Sequence, residues 1–278
     1  MRLTRVALAT AALAAPISAA AHPDSAGDLL ARAPVWLAQA LYASAWIAYA
    51  AGAVRVRPPP ARALTLHAAM LVAGVALFGP FDAWAASSTA MHMVQHMLLI
   101  AVVAPLAALA APLPQWRALL GATLDPWWRA LLRCSRYPLA CAALHAAAVW
   151  FWHAPRPYML AALDPGWHVI EHACFLFSAW LFWWSVLRAG RRAALQALLA
   201  LLVTLMHTGL LGALLTFARA PLYAAESREL WDQQVAGLVM WIPGSAVYLA
   251  GAAWLLWRVA PRHENAAGTS LADFERPP

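Results

Sequence analysis

The constraint that governs this chain is the length of its apolar runs. Stretches near residues 34–54, 63–80, 90–111, 139–154, 168–187, 193–218 and 235–257 consist largely of Ala, Leu, Val and aromatic residues. About 20 apolar residues in a helix cross the ~30 Å hydrocarbon core of a bilayer. Inside that layer every backbone N–H and C=O must be bonded within the protein, so only helices and closed barrels span it. The runs are continuous and do not alternate apolar with polar, which argues against barrel strands. Composition agrees: 64% of the 278 residues are apolar and only 11% are charged, against about 25% charged in a soluble domain. The sequence predicts an all-α integral membrane protein in which residues 34–258 form a bundle of seven transmembrane helices.

The flanks set the processing and the orientation. Arg2 and Arg5 precede an apolar run that ends in Ser18, Ala19, Ala20 and Ala21. A basic start, a short apolar core and small residues at the end make a secretory signal peptide, here residues 1–21. Residues 22–33 then form a short periplasmic segment, and residues 259–278 a disordered cytoplasmic tail. The cations of the chain are all arginine, and they sit in the short loops between runs. This pattern is not the basic domain of a nucleic-acid binder. One set of alternate loops holds Arg55, Arg57 and Arg62, then Arg117, Arg129, Arg133 and Arg136, then Arg188, Arg191 and Arg192, then Arg258 and Arg262. The other set holds Arg156, Arg219 and Arg228 among Asp82, Asp164, Glu226, Glu229 and Asp232. Arginine-rich loops stay in the cytoplasm. The expected topology is a multi-pass protein of the bacterial inner membrane, with the mature N-terminus periplasmic and the C-terminus cytoplasmic. Within the loop at 112–138, Trp127, Trp128, Leu131 and Leu132 alternate with arginines, as in a helix lying in the interface.

That topology sorts the ten histidines. His22 and His263 lie outside the bundle. His67, His145 and His207 lie within the second, fourth and sixth runs, where a single histidine usually serves an interhelical hydrogen bond. His92, His96, His153, His168 and His172 all fall at the outer ends of the third, fourth and fifth runs. His92 and His96 are four apart, as are His168 and His172, so each pair shares one helix face about one turn apart. Glu171 lies about 60° from His168 on the same face, whereas Cys174 points elsewhere. Ionisable side chains at membrane depth are costly and mark functional sites. Imidazole suits Cu, Zn, Fe and Ni, and a thioether such as Met93, close to the face of His96, tilts the choice to copper. Glu171 is either a further ligand or an acceptor that orients an imidazole. The three cysteines form no paired framework and no thiolate metal motif. Asp232 opens the seventh run either as a helix N-cap or as a supporting residue of the site. Trp150, Trp152, Trp167 and Trp231 fit an outer aromatic belt.

Five phrases in order, MHMVQHMLL (91–99), WHAPRPYMLAAL (152–163), WHVIEHACFLFSAWLFWW (167–184), LGALLTFARAPLY (211–223) and DQQVAGLVMWIPG (232–244), resemble the CtaG-type cytochrome c oxidase assembly factors. The resemblance covers roughly residues 34 to 258. It implies a multi-spanning bacterial protein required for maturation of caa-type oxidases, with a copper-related role. Carried over by position, His92, His96, His153, His168 and His172, with Glu171 and Asp232 beside them, are the site. The expected partners are haem–copper oxidase subunits and a periplasmic copper chaperone, within the lipid bilayer and without nucleic acid. The expected role is not enzymatic. Three alternatives stay open on the residues: a membrane di-iron oxygenase, a b-type haem protein, and a copper uptake or resistance protein.

Overall fold

The computed structural model describes residues 26–121, 125–223 and 229–260, with side chains from residue 32 onward. The expected signal peptide and all but the first two residues of the expected C-terminal tail lie outside the described residues, as do His22, Glu226, Arg228, Arg262 and His263. Among the described residues the chain is helical throughout. In order, the helices are α1 (Ala26–Arg55), α2 (Pro60–Phe78), α3 (Pro80–Ala85), α4 (Thr89–Met97), α5 (Ala104–Ala110), α6 (Leu113–Leu120), α7 (Asp125–Cys134), α8 (Pro138–Trp152), α9 (Pro155–Leu163), α10 (Pro165–Leu187), α11 (Ala194–Thr216) and α12 (Leu230–Val259). A π-helical segment, Leu98–Val103, joins α4 to α5 into one continuous rod.

Six helical stretches are long and apolar enough to cross a membrane: Arg32–Arg55, Pro60–Ala85, Thr89–Ala110, Pro165–Leu187, Arg191–Thr216 and Leu230–Val259. They coincide with six of the seven apolar runs. The fourth run forms α8, which has only 15 residues. At 1.5 Å per residue it extends about 22 Å, short of the ~30 Å core. Its length is cut at both ends by proline, Pro138 at its first position and Pro155 opening α9 after a break at His153 and Ala154. Proline lacks an N–H and fixes φ, so it starts helices and does not continue them.

The core lies around α10 and the α4–α5 rod. The α10 window is 61% buried, whereas that of the first span is 17% buried. Helix α10 packs on α8, α5, α9, α1 and the π segment. Its Phe175, Ala179, Phe182 and Val186 are fully enclosed. Helices α11 and α12 form the tightest pair, and α12 also lies along α4. Their closeness rests on Gly212 and Gly237. A Cβ on Gly237 would stand 2.5 Å from the Gly212 carbonyl oxygen, and one on Gly212 would stand 2.8 Å from that of Gly237. In lipid, where apolar burial gives no drive for helix association, such close backbone packing is a main source of it. Outward-facing leucines such as Leu41, Leu195 and Leu202 remain exposed on the outside of the bundle. That is the surface expected of a protein solvated by hydrocarbon.

The π segment has a local cause. Pro105 carries no N–H for the Ala101 carbonyl. The Ala104 N–H bonds to the Leu99 oxygen, five residues back. The Ile100 carbonyl, which Ala104 would serve in an α-helix, accepts instead from the Trp183 indole N–H at 2.9 Å. A π-bulge of this kind often marks a functional stretch, and this one begins directly after His96 and Met97.

At the end of the bundle where α10 stops, arginine caps the helices. Arg258 donates to the Leu187 carbonyl, Arg188 lies over the Trp184 ring, and Arg55 donates to the Ala118 carbonyl. Helix α7 has no buried residue and Trp127 is 74% exposed, in keeping with a helix that lies on an interface. Helix α6, unforeseen from the sequence, is held to α1 by Trp116 Nε1 donating to the Ala45 carbonyl and Gln115 Nε2 to that of Val56.

Candidate metal centre

At the opposite end of α10 from these arginines, two helix starts bring the paired histidines together. Helix α4 is capped by Ser88, whose hydroxyl accepts from the Met91 N–H at 3.2 Å. Helix α10 is capped by Asp164, which accepts from Gly166 and Trp167, with Pro165 at the first position. An Asp cap followed by proline is a strong helix-start signal. Each start fixes its histidines within the following two turns, and the two faces meet.

His92, His96, His168, Glu171 and His172 each offer one ligand atom, and these atoms all lie within 4.8 Å of one another. His92 and His96 ring centroids are 4.3 Å apart, His168 and His172 4.2 Å, and His96 and His172 5.2 Å. Glu171 is fully buried. Its Oε2 stands 3.6 Å from Nε2 of both His92 and His96, too far for a hydrogen bond. Neither Glu171 oxygen has a hydrogen-bond partner among the described residues, and the same holds for both nitrogens of His96 and Nε2 of His172.

Buried polar atoms are normally paired, and an unpaired buried carboxylate is expensive. Here several face a common point without bonding one another. Ligands held ~2.0–2.2 Å from one transition-metal ion stand ~3–4 Å apart, close to the 3.6 Å between Glu171 and the two imidazoles. The donor set thus fits a metal ion: four imidazoles and one carboxylate gathered within 4.8 Å, with Glu171, His96 and His172 Nε2 not hydrogen-bonded among the described residues.

The structure sets His153 beside this group and not within it. Its Nδ1 pairs with the Val149 carbonyl at 2.8 Å. That leaves Nε2, which lies 3.4 Å from Met93 Sδ. Met93 is therefore against His153 and not among the five. Asp232 does not cap its own helix, whose cap position is Glu229 without a side-chain bond. It reaches across to α4 instead. Its carboxylate accepts from Thr89 N at 2.7 Å, Ser88 Oγ at 2.8 Å and Ala90 N at 3.3 Å. The residue is a cap supplied in trans to the helix that carries His92 and His96.

Several contacts were not foreseen in the sequence. Gln95, between the two histidines of α4, is buried and donates to the Ala76 carbonyl at 2.8 Å and to Asp82 at 3.3 Å. Tyr158 of α9 lies 5.5 Å from the His92 ring and stacks on Tyr223 at 3.7 Å. Tyr223 donates to the His153 carbonyl at 2.7 Å, and Phe175 packs edge-on against His96 at 4.7 Å. These rings wall the cluster off. Both tyrosines stand inside the conspicuous phrases, which was the available signal. Trp152, expected in the aromatic belt, is buried at 4% exposure, because it sits on the inner face of α8. Of the inner histidines, His67 accepts from Trp46 Nε1 at 2.9 Å and His145 Nδ1 pairs with Ser178 Oγ at 3.0 Å. Both are the interhelical bonds expected. His207 has no such bond on either nitrogen among the described residues.

Residues 40–262, which include every residue of the cluster, match the family described as cytochrome c oxidase caa3 assembly factor (Caa3_CtaG). The chain belongs to this family. The match takes in the first long apolar helix from residue 40 onward, the other five in full, and α8, so the assembly-factor family and the buried histidine–glutamate group describe one and the same bundle. No curated protein and no solved structure shows a significant match to the chain.

Proposed function

We propose that this assembly factor is a seven-span protein of the bacterial inner membrane, in which α8 counts as a short fourth span. In this reading it carries copper as cargo at its periplasmic face and supports copper insertion into a haem–copper oxidase. The observation that carries the reading is Glu171, a fully buried carboxylate without a hydrogen bond, flanked by four histidines whose ligand atoms lie within 4.8 Å. His92, His96, His168 and His172 supply nitrogen, and Glu171 supplies the charge that offsets the cation. Imidazole donors favour copper over magnesium or calcium. The arginines that cap the far end of α10 support a cytoplasmic placement for that end, and so a periplasmic one for the cluster.

The role of Asp232 is to set the position of α4. His153 and Met93 form an adjacent pair beside the five. Haem iron takes axial ligands on opposite faces of a flat macrocycle, whereas these imidazoles touch one another edge to face. Partner subunits of the oxidase, and a soluble copper chaperone on the periplasmic side, follow from the assembly role.

The test is a deletion strain assayed for oxidase activity with and without added copper. Loss of activity that copper restores supports delivery. Normal oxidase activity in the deletion strain overturns the proposal.

A further inference from the structure

A small cavity opens directly beneath the cluster, between α4, the π segment, α8, α11 and α12. Its lining residues include His96, His145, His153, Met97, Met240, Thr208 and Tyr248. Its volume of about 10 Å³ is room for about one water-sized particle. His145 is fully buried, and its Nε2 has no hydrogen-bond partner among the described residues. His96, also buried, has neither ring nitrogen hydrogen-bonded. Of the other polar lining residues, Thr208 Oγ1 donates to the Thr204 carbonyl at 2.8 Å, His153 Nδ1 pairs with the Val149 carbonyl, and the Tyr248 ring stacks on Trp183. The cavity thus brings imidazole and thioether side chains together beside one neutral phenol, Tyr248, with no carboxylate among the lining residues.

We propose that this cavity is a second metal station, selective for a soft monovalent d¹⁰ cation such as Cu(I), with His96, His145, Met97 and Met240 as its donors. Thioether with imidazole is a soft set, and it selects Cu(I) over the harder divalent ions that a carboxylate suits. The two stations share His96. An ion passes between them by ligand exchange at that imidazole, leaving Glu171 and gaining sulfur, without a change of oxidation state. Glu171, 3.6 Å from His96, offsets the single positive charge across the shared ring. The π segment starts at Leu98, so the rod departs from α-helical geometry next to Met97, where the cavity begins. This inference rests on the reading of the cluster as a metal site but uses its own donors, so the two are separable.

The test uses the full chain with Cys134, Cys141 and Cys174 replaced, reconstituted in lipid nanodiscs and loaded with Ag(I), a redox-inert soft cation. Bound silver is counted after free ion is removed, and X-ray absorption reads sulfur in its coordination shell. The parent chain is expected to show a sulfur shell. Met97→Leu with Met240→Leu, which preserves volume in the core, is expected to abolish that shell and to lower the silver count by one. Each single Met→Leu change should reduce the shell. Conversely, His92→Ala with His168→Ala should lower the count while the sulfur shell persists. An unchanged sulfur shell in the double methionine variant, or no sulfur in the parent, overturns the inner station. If instead the histidine variant leaves the count unchanged while the methionine variant lowers it, the cluster reading fails and the inner station stands.

Discussion

Removing Asp232 perturbs the site without touching a ligand. Its carboxylate takes the Thr89 N–H at 2.7 Å and the Ser88 hydroxyl at 2.8 Å, with a longer contact to Ala90 N. Thr89 is buried, at 1% exposure. A hydrogen bond to a charged group contributes about 1.5–3 kcal/mol, and a buried donor left without its acceptor costs about 1–3 kcal/mol. A negative charge at a helix N-terminus adds ~0.3–1 kcal/mol through the helix dipole. The long Ala90 contact contributes little, and Ser88 is partly exposed and re-solvates. Asp232→Ala therefore destabilises the protein by about 3 kcal/mol, which lowers the melting temperature by on the order of 10 °C. Because His92 sits one turn from the cap, the loosened start of α4 also misplaces a ligand, and affinity for copper falls about tenfold, equal to ~1.4 kcal/mol. Asp232→Asn keeps one acceptor oxygen and loses the charge, so it falls between. Thermal unfolding in detergent and copper titration read both effects on one preparation. A melting temperature and copper affinity both equal to the parent's in Asp232→Ala would refute the trans-cap argument.

Three further outcomes follow from the packing. Glu171→Gln removes a buried charge that has no hydrogen-bond donor. It should raise the melting temperature of the metal-free protein while abolishing most of the stabilisation that copper adds, since an uncompensated buried charge is destabilising and a bound ligand stabilises by mass action; a thermal-shift series with and without copper reads both. Gly237→Leu drives a side chain into the Gly212 carbonyl and should prevent α11 and α12 from closing, seen as loss of a monodisperse peak in size-exclusion chromatography. Trp183→Phe leaves the Ile100 carbonyl without its donor; it should cost about 1–3 kcal/mol in thermal unfolding, with hydrogen exchange rising at residues 98–103.

Most of the architecture is legible in the runs themselves, because a segment that must bond its own backbone in lipid has to be helical over its full length. The fourth run is where that logic weakens. Pro138 and Pro155 clip α8 to 15 residues, and apolar length alone does not register where proline halts a helix. The cluster is legible through spacing, since residues four apart share a helix face. Spacing points to His92, His96, His168, Glu171 and His172 as one group, and their ligand atoms lie within 4.8 Å of one another. It does not separate them from His153, which ends a different helix and turns toward Met93. Asp232 illustrates a further limit. At the start of an apolar run it reads as a local cap, but the partner it caps is 143 residues away in sequence, and only the packing of α12 along α4 brings the two together. Of the walls of the site, Tyr158 and Tyr223 stand at no helical spacing from the histidines, so only the folded packing shows that they line it.

Copper content of the purified chain tests the central claim most directly. The parent protein, expressed with copper and stripped of loosely held ions, is predicted to retain copper. His92→Ala with His96→Ala, which removes two of the four nitrogens, is predicted to lose it while the bundle stays folded. Copper content unchanged in that double variant would contradict the account.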